Sequence, residues 1–166
     1  MRNDGTPNRR TSRLRRLESV FPDVPIYFVT LCVQARRRVI DNPRVHDAFV
    51  RFGQQGVAHG CHLGRYVLMP DHVHAFVSFA GTSAPQTTML SGWAKALKGC
   101  VSRAWREAGF DGVRWQKGFF DHVLRTSESY AEKWRYVLLN PVRAGLVATP
   151  DDWPFQGEIC VLEAPL

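Results

Sequence analysis

Arg65-Tyr66-Val67-Leu68-Met69-Pro70-Asp71-His72-Val73-His74-Ala75-Phe76-Val77-Ser78-Phe79 reads as two strands joined by a tight turn at Pro70-Asp71. The second half alternates, and alternation gives a strand two distinct faces. Val73, Ala75, Val77 and Phe79 make an apolar face suited to packing under helices, while His72, His74, Phe76 and Ser78 point the other way. Side chains two residues apart on a strand stand roughly 6.5–7 Å apart along the chain, so two inclined imidazoles can converge on one divalent ion while the strand stays regular. A His-x-His pair alone also suits two hydrogen-bonded histidines near a sheet surface. The residues downstream bear on that choice.

Working outward, the β-rich apolar run from Ile26 to Val33 fits a central strand, and Arg36-Arg37-Arg38 follows at its exit. Val45, Ala48, Phe49, Phe52 and Gly56 recur at helical spacing, predicting an amphipathic helix over about 43–58 whose end is marked by Gly60. Beyond a loop rich in Gly, Ser, Thr and Pro, Leu90, Trp93, Ala94, Leu97, Val101, Ala104 and Trp105 form a second helical stripe that ends before Gly109. Residues 115–125 look like a fourth extended segment. The resulting order is strand, helix, strand, strand, helix, strand. This predicts an α+β fold of the ferredoxin-like (split βαβ) kind, an antiparallel sheet with both helices on one face and the other face free for the histidines.

A further C-terminal helix starts near Ser127 or Glu128 and should stop at Asn140, because Pro141 disfavours helical geometry in the residue before it. On a helical wheel Tyr130, Trp134, Val137 and Leu138 share one arc, the core face. Tyr136 and Asn140 lie off that arc and project together, one turn apart, with Lys133 on the same side. A structural tyrosine belongs within the apolar arc, so Tyr136 ranks above Tyr130 as a chemical group.

The chain has 166 residues, 45% of them hydrophobic, enough for one well-buried core and too few for two. We expect a basic flexible arm over 1–20 and a single domain over 21–166. The net charge of +7 favours a polyanionic partner. Cys32, Cys61, Cys100 and Cys160 are scattered without a Cys-x-x-Cys pair, as expected for small apolar residues in a reducing cytoplasm. No apolar run approaches the roughly 20 residues a membrane-spanning helix needs, so no membrane association is expected. In the arm, Arg13, Arg15 and Arg16 could lie along phosphates or simply solubilise the chain. Arg36, Arg37, Lys95, Lys98 and Lys133 are the other candidate phosphate contacts, each competing with plain solvation.

His72-Val73-His74 after Tyr-Val-Leu-Met-Pro-Asp, then Trp115-Gln116-Lys117-Gly118-Phe119-Phe120-Asp121-His122-Val123-Leu124-Arg125, then Tyr136-Val137-Leu138-Leu139-Asn140-Pro141-Val142-Arg143-Ala144-Gly145-Leu146-Val147, closely resembles the REP-associated tyrosine transposases, which are single-tyrosine HUH nucleases. The resemblance runs from about residue 27 to 155. It implies that His72 and His74 hold a divalent metal, Mg²⁺ or Mn²⁺, that Asn140 is a third ligand, and that Tyr136 is the nucleophile. It implies as partner single-stranded DNA next to a hairpin, and as reaction metal-dependent cleavage and strand transfer through a 5′-phosphotyrosine. Asp121, His122 and Arg125 match a family pattern with no role assigned to them.

The residue chemistry agrees. Cleaving a phosphodiester needs an in-line nucleophile and something to neutralise charge developing on the phosphoryl group. A tyrosine hydroxyl is mostly protonated at neutral pH and gains from a neighbouring cation. Two other classes compete: a non-catalytic hairpin-DNA-binding regulator, against which all four presumed site residues are present, and a basic RNA-binding domain, which would carry an RRM-type aromatic motif that is not found. Monomer and homodimer are both compatible with the sequence.

Overall fold

The computed structural model describes residues 24–81 and 85–163; the arginines of the N-terminal arm, Arg13, Arg15 and Arg16 included, lie outside them. The element order is β1 (Ile26–Cys32), α1 (Pro43–Gly56), β2 (Cys61–Met69), β3 (His72–Phe79), α2 (Gln86–Glu107), β4 (Phe120–Leu124), α3 (Ser127–Leu138), α4 (Asn140–Arg143) and β5 (Gln156–Glu158). All neighbouring strands pair antiparallel, in the order β4-β1-β3-β2-β5. The α+β architecture is therefore the one expected, with the His-bearing strand at its centre.

Each helix has a local reason. Asn42 caps α1 by accepting from the Arg44 amide at 2.9 Å, with Pro43 in the first turn. A 3-10 turn over Val57–His59 continues α1 as far as Gly60, whose φ of 71° ends the segment. Thr126 and Ser129 form a capping box that opens α3. A Cβ on Gly60 would land on the Ala80 carbonyl oxygen, so Gly60→Ala combines left-handed strain with a backbone clash. We expect it to cost about 2 kcal/mol, read as a lowered urea midpoint; an unchanged midpoint would show that the Gly60–Ala80 contact is not tight.

The face of β3 carrying Val73, Ala75, Val77 and Phe79 packs with Val29, Leu31, Phe49, Leu97 and Trp105 into the main core under α1 and α2. Each Val, Leu or Phe side chain among them contributes about 1.5–3 kcal/mol on removal from water. The opposite face departs from expectation. It is not free: Val67, Phe76, Leu124, Tyr130, Val137 and Trp153 form a second core there, covered by α3 and the segment beyond it. The cause is the alternation of the strands themselves, which places Phe76 and Val67 outward, where they must be buried. α3 is the element that buries them, and this brings its polar side to the histidines.

Three boundaries also differ. β2 begins at Cys61 because a register shift between Leu63 and Tyr66 turns both inward to the main core, hiding the period of two. Of residues 115–125, only Phe120–Leu124 is regular strand; Trp115 makes one bridge to Val33, and Gly118 at φ 67° interrupts the run. The third helix ends at Leu138, yet the chain resumes as α4 at Asn140. Proline lacks only a donor that the first turn of a helix leaves unused, so Pro141 starts α4 rather than ending the helical path.

Candidate active site

Across the β1–β3 ladder Thr30 faces His74 and Cys32 faces His72. The Thr30 hydroxyl lies 2.9 Å from His74 Nδ1, and the Asp71 carboxylate accepts from His72 Nδ1 at 2.6 Å. A carboxylate can only accept, so His72 carries its proton on Nδ1 and presents a bare Nε2. The two Nε2 atoms converge to 3.1 Å, with the rings nearly perpendicular at 81°. Burial pushes His74 down to about 3, with the charges of His72, Lys133 and Arg36 adding to the effect; burial also lowers His72. Both imidazoles are therefore neutral at pH 7, the form that ligates a metal.

This donor set suits a divalent cation. Two nitrogens each about 2.1 Å from one ion, with bonds near perpendicular, lie about 3.0 Å apart, against the 3.1 Å found. Thr30 in turn can accept from His74 Nδ1, leaving two lone pairs facing one point. Among the described residues no group of three or more His, Cys, Asp and Glu side chains is placed to hold a metal. Asn140 is half-buried in the first turn of α4.

The turn holding the pair is built from backbone. Val39 and Ile40 donate to the Pro70 carbonyl at 2.8 and 2.9 Å, and Val33 donates to that of Asp71 at 2.9 Å. Ala35 and Arg36 adopt φ of 56° and 53°, uncommon for residues with a Cβ. The Arg36 Nε sits 2.7 Å from Asp71, whose other oxygen holds His72. Outer partners of this kind fix ring orientation and tautomer.

On α3 the two tyrosines part as the wheel suggests. Tyr130 is buried, edge-on to Phe76, with burial pushing its hydroxyl up to about 12. Tyr136 is 56% exposed. The Lys133 ammonium lies 5.3 Å over the Phe28 ring and 6.0 Å from that of Tyr136, and Phe28 stacks on His74 with centroids 5.3 Å apart. Tyr136 is thus linked to the histidine pair through one lysine and one aromatic ring. From α4 the Arg143 guanidinium covers the Tyr136 ring at 4.5 Å and donates to the Tyr136 carbonyl at 2.9 Å.

The remaining basic candidates scatter. Arg37 donates to the Asp111 carbonyl at 3.3 Å. Lys98 has a structural use, donating to the carbonyls of Gln116 and Gly118. Lys95 is on α2, the helix that covers the main core on the sheet face opposite the histidines. Sequence reading missed Asp71, Thr30 and Arg143. Asp71 was legible only as a turn residue, Thr30 acquires its role from strand register, and Arg143 reaches back across the α3–α4 junction.

The family model described as "Transposase IS200 like" matches residues 25–137. The chain belongs to this family. As an IS200-like transposase it is similar to the REP-associated tyrosine transposase of Escherichia coli (strain K12), 27% identical over 93 residues, which are 56% of this chain and 52% of that protein. In that match the chain spans about half the length of its relative. A protein of Haemophilus influenzae (strain ATCC 51907 / DSM 11121 / KW20 / Rd) named "Putative REP-associated tyrosine transposase" is 23% identical over 142 residues, 78% of this chain and 77% of that one. The fold resembles the solved structure of a REP-associated tyrosine transposase bound to a REP hairpin, with TM-score 0.62 at 17% identity, covering 86% of this chain and 91% of that one. Among the described residues no helix is long and apolar enough to cross a membrane.

Proposed function

We propose that this IS200-like transposase cleaves and rejoins single-stranded DNA beside an imperfect hairpin, with Tyr136 as nucleophile. The observation that carries the reading is the 3.1 Å convergence of His72 and His74 Nε2 atoms on the face where α3 presents an exposed Tyr136. His72, His74 and Asn140 would hold a divalent ion, Mg²⁺ or Mn²⁺, which when bound supplies Lewis-acid neutralisation of phosphoryl charge. Asp71 and Thr30 keep the two imidazoles turned toward one point. Lys133 and Arg143 put positive charge beside the Tyr136 ring, where the phosphate must arrive.

In the reaction the Tyr136 oxygen forms a bond to phosphorus while the bond to the 3′-oxygen breaks. The phenol loses its proton, and the departing 3′-oxygen takes one up to become a hydroxyl. The 5′-phosphotyrosine keeps the energy of the broken ester, so a different 3′-hydroxyl can reverse the step and join new ends. Hairpin recognition is carried over from the related transposase solved with a REP hairpin.

The test is an oligonucleotide with a REP-like hairpin and single-stranded flanks, incubated with the chain and Mn²⁺. Site-selective nicking with a covalent protein–DNA band, abolished by EDTA and absent for RNA of the same sequence, is the expected result. Affinity should fall steeply with salt, since each neutralised phosphate releases counterion. Metal-independent binding without nicking would instead favour a non-catalytic regulator.

A further inference from the structure

The edge strand β4 carries a side chain that neither core uses. Phe120 is 70% exposed, and its register partner on β1 is Thr30, the residue bonded to His74. Paired residues on adjacent strands share a sheet face. His74, Thr30 and Phe120 therefore form one row across three strands, and two strand spacings of about 4.8 Å put Phe120 roughly 10 Å from His74. In the next row Phe28 stands between Phe76 and an exposed His122. Phe28 stacks on His74 beneath the Lys133 ammonium. Beyond the histidines the sheet thus offers an open aromatic step that leads to its edge.

We infer that Phe120, with His122 beside it, is a stacking subsite for one unpaired nucleobase of the strand whose phosphate lies at the histidine pair. The inference rests on the proposed function and adds to it a base-binding position. A nucleotide presents a flat π-face joined to a phosphate, and this surface presents an exposed ring on the same sheet face as an ammonium and two convergent imidazoles. Stacking tolerates any base, so the subsite would hold the strand in position without reading its sequence. An exposed phenylalanine on a sheet edge that pairs with no further strand among the described residues otherwise invites association with other chains, which a bound strand would cover.

The experiment measures fluorescence anisotropy in EDTA, so that no cleavage occurs, with a labelled hairpin oligonucleotide carrying a mixed-sequence single-stranded flank. A single abasic nucleotide is stepped through that flank. Phe120→Ala should weaken binding about fivefold or more, the range for loss of one base–aromatic stack, and Phe120→Trp should restore it. One abasic position should weaken wild type by a similar factor and have no further effect on Phe120→Ala. The inference is overturned if Phe120→Ala binds within about twofold of wild type, or if every abasic position weakens wild type and variant alike. If Phe120→Ala binds normally in EDTA while wild type nicks the same DNA in a parallel reaction with Mn²⁺, the proposed function stands and only the stacking subsite is removed. Wild type that binds no flanked hairpin at all removes both.

Discussion

Tyr136→Phe is expected to abolish both nicking and the covalent adduct, a loss of at least about a thousandfold, because the substitution removes only the oxygen that attacks phosphorus. Tyr136 is 56% exposed and its hydroxyl has no role in either core, so folding and hairpin binding should be retained. Tyr130→Phe is the informative contrast. Tyr130 is buried against Phe76 in the second core, and its substitution should leave at least part of the cleavage activity. Nicking by Tyr136→Phe that yields a protein–DNA adduct would move the nucleophile elsewhere.

The second large effect is expected at the histidines. His74→Ala should lower Mn²⁺ affinity at least about a hundredfold in calorimetry on the free protein, more than loss of an outer-shell partner brings, and cleavage should disappear with it. The convergence of His72 and His74 Nε2 at 3.1 Å is why one substitution should suffice, since it leaves a single nitrogen at the point where two meet. His59→Ala, an exposed histidine following α1, is the control and should bind Mn²⁺ as wild type does. Equal Mn²⁺ affinity in the His74 and His59 variants would mean that the pair is a hydrogen-bonded structural couple.

Much of this fold was legible because period-two and period-3.6 patterns survive in the chain. The alternation in β3 gave both the face under α1 and α2 and the outward placement of His72 and His74. The same alternation also puts Phe76 outward, and a phenylalanine there needs cover on the second face. What stayed hidden depends on contacts distant in sequence. Thr30 meets His74 only through strand register, Lys98 meets the carbonyls of Gln116 and Gly118 only after α2 docks, and Arg36 reaches Asp71 through two left-handed residues that no propensity favours. Local chemistry misled once more at Pro141, where a residue that ends helices proved able to start one.

The most direct measurement of the central claim is the identity of the residue that carries the DNA. The chain is trapped on a hairpin-flanked oligonucleotide with Mn²⁺, the adduct is digested with nuclease and then trypsin, and the nucleotide-bearing peptide is sequenced by mass spectrometry. Trypsin cuts after Lys133, Arg135 and Arg143, so Tyr130 and Tyr136 fall in different peptides. A 5′-linked nucleotide on Tyr136, in the peptide Tyr136-Val137-Leu138-Leu139-Asn140-Pro141-Val142-Arg143, is the result expected; a nucleotide on the peptide holding Tyr130 or Tyr66, or on a residue other than tyrosine, would contradict it.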